Sequence, residues 1–230
     1  MDANLRERLT ALDRLSYVDV IGLLDKGASV YYDGPEGAVV TLGGSSLSSV
    51  VCTGDWEAML SHLDLSADLI CVHDEGLRDY LVDRCGYGNE EGCFSYSWWA
   101  GPMSVPQCDS RILDVSYIDT IESVYKLAGR EELLSDLSSG MVTGLFEDGL
   151  LVGFIGFHPE GSMGMLHVFE EHRKKGYGEL LEKIDINRAL DMGIVPYCHV
   201  FFSNKASRSL QEKLGLGRGE RPVWWLWKQI

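Results

Sequence analysis

Apolar residues recur along this chain at two periods, and each period predicts a different element. Leu5, Leu9, Leu12 and Leu15 follow the three- to four-residue spacing of one helical face. Residues 4–25 are therefore expected to be helical, as two short helices split at Ser16. Residues 28–32 and 38–42 are short apolar runs on either side of Asp33-Gly34-Pro35-Glu36-Gly37, the signature of a hairpin. Residues 55–63 read as helix, 68–72 as a short strand, 75–85 as helix and 94–99 as strand.

The stretch Gly101-Pro102-Met103-Ser104-Val105-Pro106 then interrupts the pattern, because Pro and Gly at this density punctuate structure. It divides the chain into an N-terminal α/β domain, 1–105, and a second domain, 111–230. In the second, Ile118, Ile121, Val124 and Tyr125 share a face and place a helix over 118–127. Residues 142–147 and 150–157 form a hairpin turning at Asp148-Gly149. Residues 164–169 are a strand, 176–192 a helix, 196–202 a strand, 206–214 a helix stopped by Gly215, and 223–227 a strand. Helices alternating with strands predict a mixed α/β sheet.

Composition narrows the function. With 45% apolar residues in 230, a packed core is within reach. Residues 1–15 mix charges with apolar residues and contain no uninterrupted apolar segment, and no stretch approaches the length of a membrane span. The expectation is a soluble cytoplasmic protein with no membrane partner. The six cysteines are irregularly spaced without a CxxC pair, which argues against a metal site and for reduced thiols. The net charge of −15 argues against nucleic acid, since phosphate contacts need a basic surface. That charge is uneven. Residues 1–110 hold 18 acids and 6 bases (−12), and residues 111–230 hold 17 and 14 (−3). The bases concentrate where a polyanionic ligand could use them.

The join between strand 164–169 and helix 176–192 is the chemical centre of the sequence. It reads Glu170-Glu171-His172-Arg173-Lys174-Lys175-Gly176-Tyr177-Gly178. The first amides of a helix have no partners within it, and the helix dipole puts partial positive charge at that end. Two glycines let a pyrophosphate approach the backbone, and three bases add full charges. A dinucleotide loop would carry a third glycine and lie near the start of its fold. Further on, Ser203-Asn204-Lys205-Ala206-Ser207 bridges a strand and a helix, followed by Leu210-Gln211-Glu212-Lys213-Leu214-Gly215-Leu216. Asn204 reads equally as helix cap and as ligand contact.

Together these residues resemble the GNAT acyltransferases. The family's phosphate loop is Gln/Arg-x-x-Gly-x-Gly/Ala, which Arg173-Lys174-Lys175-Gly176-Tyr177-Gly178 matches in full. Asn204, Ser207, Leu210 and Lys213-Leu214-Gly215-Leu216 match its later signature, with Leu216 in place of the usual Phe. The resemblance covers 111–230, about half the chain. The tryptophans of Val223-Trp224-Trp225-Leu226-Trp227 and the preceding domain are similar to the glycine N-acyltransferase-like branch. The resemblance implies a central mixed, mostly antiparallel sheet flanked by helices, preceded by a smaller α/β domain. It implies an N-acetyltransferase that uses acetyl-coenzyme A, or another short acyl-coenzyme A, without metal. The acceptor would be a primary amine of a small molecule or amino acid. Pyrophosphate would sit on the amides of 174–178, and pantetheine along Leu166, His167, Val168 and Phe169. Asn204, Ser207, Leu210 and Lys213 would complete the cofactor site. A backbone amide near Val168 would stabilise the oxyanion, in a cleft where the strand splays from 197–201.

The acid–base pair departs from the family pattern. Where many members have a glutamate, this chain has Ser162, with Glu160 close by, and the family's tyrosine on the last helix is replaced by Gln211. Candidate bases are His167, whose ordinary pKa near 6.5 suits the task, Glu160 with Ser162, His199, or an ordered water. A non-catalytic acyl-coenzyme A sensor and an acetyltransferase acting on protein lysines or N-termini are the alternative readings. Finally, Leu69–Glu75 with Leu81, Arg84, Gly86 and Tyr87 resembles Cys198–Ser203 with Leu210, Lys213, Gly215 and Leu216, and Trp98-Trp99 would echo Trp224–Trp227. The N-terminal half is thus expected to be a degenerate copy of the same fold that shapes the acceptor pocket. No phosphate loop is seen near residues 43–50, which hold no base.

Overall fold

The computed structural model describes residues 2–42 and 47–228. Residues 43–46, the first part of the stretch without a phosphate loop, lie outside the described residues. The chain forms two compact units, Met1–Ser97 with His199–Ile230, and Trp98–Cys198. This division differs from the expected 1–105 and 111–230, and sheet pairing is the reason, as the first unit shows.

In the first unit, α1 (Asp2–Asp13) and α2 (Val18–Asp25) are separated where Asp13 Oδ1 accepts the amides of Leu15 (3.2 Å) and Ser16 (3.1 Å), so the break falls at Ser16 as expected. A seven-stranded sheet follows from β1 (Ser29–Asp33), β2 (Gly37–Thr41), β3 (Leu47–Cys52), β4 (Leu69–Val72) and β5 (Tyr87–Ser97), with α3 (Trp56–Met59) and α4 (Glu75–Arg84) between. Its order is completed by β10 (Tyr197–Phe201) and β11 (Gly217–Lys228), and reads β1-β2-β3-β4-β11-β5-β10. β11 lies antiparallel between β4 and β5, with Trp224 opposite Val72 and Val223 opposite Cys93. The C-terminal strand therefore belongs to the N-terminal sheet. Val39, Val50, Ile70, Val72, Trp224 and Leu226 pack beneath Leu77 and Leu81 of α4. The strand β3 has no counterpart in the sequence reading, because Ser48 and Ser49 give it a polar look. Both are buried between β2 and the parallel β4. Trp98 and Trp99 follow the end of β5 and lie outside any strand, unlike Trp224–Trp227.

In the second unit, β6 (Asp109–Ile112), β7 (Val142–Glu147), β8 (Leu150–Phe157) and β9 (Met163–Val168) form an antiparallel sheet in chain order. The β7–β8 turn has Asp148 at φ 52° and Gly149 at φ 80°, the paired positive angles of a type I′ hairpin. One face is covered by α5 (Ile118–Val124) and α6 (Arg130–Ser138), through Leu113, Ile121, Leu133, Leu137, Phe154 and Met165. The other is covered by α7 (Tyr177–Asp191), whose Leu181 packs among Leu145, Val152 and Ile155. A polar lock fixes α7 to β7. Asp185 accepts from Thr143 (2.7 Å) and Arg188 (3.1 Å), and Arg188 also donates to the Gly140 carbonyl (2.9 Å). Burial pushes the Asp185 carboxyl up to about 6, against the pull of Arg188 and Thr143. The last helix, α8 (Lys205–Leu214), belongs to the first unit. No helix among the described residues is long and apolar enough to cross a membrane.

Candidate active site

The cradle expected from sequence lies on β9, the loop after it and α7, all within Trp98–Cys198. In its own sheet β9 is an outer strand, so one row of its backbone groups has no strand beside it in that sheet among the described residues. Its register on β8 slips by one residue between the pairs Phe154–His167 and Gly156–Gly164. Met165 and Leu166 together therefore oppose Ile155, a β-bulge that twists the strand and takes amides out of the ladder. Met165 sits at φ 58°, a left-handed conformation rarely adopted by a side chain of this size. Either side of the bulge, the faces sort cleanly. Leu166 and Val168 pack with α7 residues, whereas Met165 and Phe169 pack with Phe154. Gly153, opposite Val168, permits close approach, since a Cβ there would lie 2.6 Å from the His167 carbonyl oxygen.

Beyond β9 the chain makes one 3-10 turn, Glu170–His172. Lys174 (φ 63°) and Gly176 (φ 88°) then take left-handed conformations and α7 starts without a side-chain cap. None of the amides of Lys174, Lys175, Gly176, Tyr177 and Gly178 has a hydrogen-bond partner among the described residues. The unpaired amides lie at the start of α7, where the helix dipole adds to their field, so the loop fits a phosphate group. The three bases divide their roles. Arg173 Nε donates to the Val168 carbonyl (3.0 Å), tying the loop to the end of β9. Lys175 Nζ reaches Glu147 Oε2 (3.3 Å), and the Tyr177 hydroxyl donates to the same carboxylate. Tyr177's hydrogen bond, followed by Lys175 and His172, holds Glu147 below the usual carboxylate range. Lys174 is exposed and has no side-chain partner among the described residues, so its charge is uncommitted.

At the opposite end of β9, the tight turn after β8 is closed by His158 N–H donating to the Ser162 carbonyl (2.9 Å). Within it the buried Ser162 hydroxyl donates to Glu160 Oε1 (2.5 Å), and the Tyr197 hydroxyl donates to the Glu160 carbonyl (3.5 Å). Glu160 and Ser162 are thus brought together, and His167 is set apart from them along the strand. The His167 ring stacks on Phe154 (5.6 Å between centroids) and meets Phe169 edge-on (5.3 Å). Burial, aided by the charge of Arg173, holds its pKa below the ordinary value, so it is a neutral imidazole at pH 7.

One group was missed by the sequence reading. Asp136 of α6 is buried at 6% exposure, and its Oδ2 has no partner among the described residues. Burial, then Glu132 and Glu160, push its carboxyl up to about 6, with His158 opposing. The signal was available. Leu133, Asp136 and Leu137 share one helical face, which places a carboxylate at an apolar position.

The later signature lies in the other unit. Asn204 Oδ1 accepts the Ser207 amide (3.1 Å) and caps α8, Leu210 is half-buried, Lys213 is exposed, and Gln211 is the buried residue of that helix. On β10, His199 Nδ1 accepts from the Trp225 indole (3.0 Å), which commits that nitrogen to a packing role.

Residues 108–216 match the family model described as acetyltransferase (GNAT) family. No curated protein matches the chain in sequence. Among solved structures, a Drosophila protein is similar over 98% of this chain and 95% of that one, at 13% identity and a TM-score of 0.68. A GCN5-related N-acetyltransferase from Kribbella flavida is similar over 94% and 95%, at 12% identity and a TM-score of 0.58. A GCN5-related N-acetyltransferase-like protein from Streptococcus suis is similar over 99% and 100%, at 15% identity and a TM-score of 0.54. At these identities the likeness is one of fold. Motif, fold and family match point to the same stretch: residues 108–216 are similar to the acetyltransferase (GNAT) family.

Proposed function

We propose that this domain transfers a short acyl group, acetyl in the first instance, from acyl-coenzyme A to the primary amine of a small molecule or amino acid. The observation that carries the reading is the outer strand β9 running, past a bulge, into a helix start whose amides are unpaired. Bound there, acyl-coenzyme A supplies the activated thioester. The amides of Lys174 to Gly178, with the free charge of Lys174, hold its pyrophosphate. The open edge of β9, from Leu166 to Phe169, aligns its arm. A backbone amide released by the bulge, in the stretch up to Val168, is the donor for a developing oxyanion. Acceptor deprotonation falls to groups on the α5–α6 face, where His167 is neutral and the Glu160–Ser162 pair stands at the start of β9. On the tryptophans of β11 and the additional sheet ahead of the domain, we place the chain nearest the glycine N-acyltransferase-like branch. We read β4–α4 and β10–α8, two strand-to-capped-helix units, as the trace of a degenerate repeat.

The test is a calorimetric titration with acetyl-coenzyme A followed by a thiol-release assay with amines. Binding at micromolar levels with turnover supports the reading, and binding without turnover favours the sensor. Gly178→Asp puts a Cβ and a negative charge against the unpaired amides. Its affinity for acetyl-coenzyme A is expected to fall at least tenfold, about 1.4 kcal/mol, with the thermal midpoint retained. Unchanged affinity would show that the loop is not the phosphate site.

A further inference from the structure

We propose that the Asp136 carboxylate, with Glu132 and Glu160 beside it, binds and deprotonates the acceptor, and that the acceptor is a cationic amine with no carboxylate next to its amino group. The proposal rests on the acyl-transfer reading above and narrows it.

Asp136 faces the sheet from α6 between Leu133 and Leu137, and its Oδ2 is buried without a hydrogen-bond partner among the described residues. A buried carboxylate oxygen without a donor is costly, and an N–H from a ligand is the group it lacks. The groups that face it come from every element around it. Glu132 lies on its own helix, His158 at the end of β8, and Glu160 in the β8–β9 turn. Tyr125, at the end of α5, stands against the same three acids. Three carboxylates therefore confront one imidazole, and among the described residues no Lys or Arg is one of the charges acting on Asp136. An ammonium supplies both the missing donor and the missing charge. An amino acid would bring its own carboxylate into this field with no cation to meet it, a like-charge penalty that selects against it.

The cluster also stands where the chemistry needs it, at the start of the strand whose far end feeds the phosphate loop. The ammonium gives one proton to Asp136 Oδ2 and its nitrogen keeps the electron pair as a nucleophile. The second proton, lost as the amide forms, leaves with the thiol product, and Asp136 returns its own to water. With burial holding the carboxyl up at about 6, this group is ionised and ready at pH 7 and loses that capacity as the pH falls below 6.

Matched pairs test the idea: phenylalanine with phenethylamine, tyrosine with tyramine, and lysine with cadaverine, each assayed for thiol release from acetyl-coenzyme A. In every pair that is turned over, the decarboxylated amine is expected to have the higher kcat/KM, by at least tenfold. Asp136→Asn should lower that value at least tenfold and flatten its acid limb, with acetyl-coenzyme A affinity and thermal midpoint kept. Carboxyl carbon NMR on the protein alone gives a reading independent of turnover, since the same variant should remove a carboxyl that titrates near pH 6. Equal or reversed preference within the pairs overturns the proposal. So does an Asp136→Asn enzyme with the parent pH profile, or tight acetyl-coenzyme A binding with no acetylation of any of the six compounds. If Asp136→Asn does not fold, the pairs and Glu160→Gln, expected to weaken amine turnover in the same direction, still decide the matter. Failure to bind acetyl-coenzyme A at all is a distinct result, which removes the acyl-transfer reading and the proposal with it.

Discussion

Asp19→Ala is expected to remove about 3–5 kcal/mol of folding stability from the unit built on the seven-stranded sheet, the range seen when one partner of a buried ion pair is deleted. Asp19 lies on α2, and its Oδ1 meets His73 Nε2 at 3.0 Å, both side chains being almost wholly excluded from solvent. His73 Nδ1 is spent on the Val50 carbonyl (3.1 Å), which binds the ring to β3. Truncating Asp19 leaves that imidazole buried with one nitrogen unanswered, and takes the acceptor from Ser49 and Cys71 as well. The pH dependence identifies the cause. Burial alone would raise the Asp19 carboxyl, but the charge and hydrogen bond of His73 bring it down to about 2. Its contribution is therefore complete above the ordinary 3.8 and is lost as the pH falls toward 2. Burial would lower His73, and Asp19 raises it above its ordinary 6.5, so that contribution is complete below 6.5 and is lost as the pH rises through the folded value. The pair stabilises in full between pH 3.8 and 6.5. Chemical denaturation across pH should show both limbs in the parent and neither in Asp19→Ala. A loss below about 1 kcal/mol, the scale of an exposed pair, would mean that the two groups are not charged in the fold.

Leu181→Ala is expected to cost about 2–5 kcal/mol in the other unit. Leu181 is fully buried, and with Leu145, Val152 and Ile155 it forms the contact that seats α7 on the sheet. It also touches the space over Gly153, next to the His167 carbonyl of β9. A cavity at this point loosens the helix whose first amides form the proposed phosphate site. Acetyl-coenzyme A affinity should therefore fall together with the denaturation midpoint, although the side chain lies on the covered face of the helix. A stable variant with unaltered affinity would show that the Asp185–Thr143–Arg188 lock holds α7 by itself.

The elements that announced themselves in sequence were those whose local chemistry and burial agree. Asp148-Gly149 sits in the one turn type that its residues favour, and Ser16 marks the break where Asp13 ends α1. The turn into α7 was legible because Gly176 sits where the backbone takes a left-handed conformation, at φ 88°. What escaped was decided by distant partners. The strand β3 reads as polar because Ser48 and Ser49 gain burial only from the strands on either side. The bulge at Met165 carries no glycine to announce its left-handed residue, since the register of β8 imposes it. Asp136 was hidden because α6 itself was not foreseen. The allegiance of β11 could not be read at all, because Trp224 fits an antiparallel partner on either side equally well.

That allegiance has a consequence for how the chain is made. β4 and β5 leave the ribosome with a gap one strand wide between them, and residues 217–228 fill it only after the whole of Trp98–Cys198 has been synthesised. The four strands of that middle segment pair in the order in which they emerge, so it can close while translation continues. The earlier sheet must wait with open edges, the state most exposed to wrong partners. A nascent chain stalled before residue 217 is expected to resist protease over 98–198 and to be cut within 1–97. Equal protection of both segments would show that the early strands find temporary partners of their own.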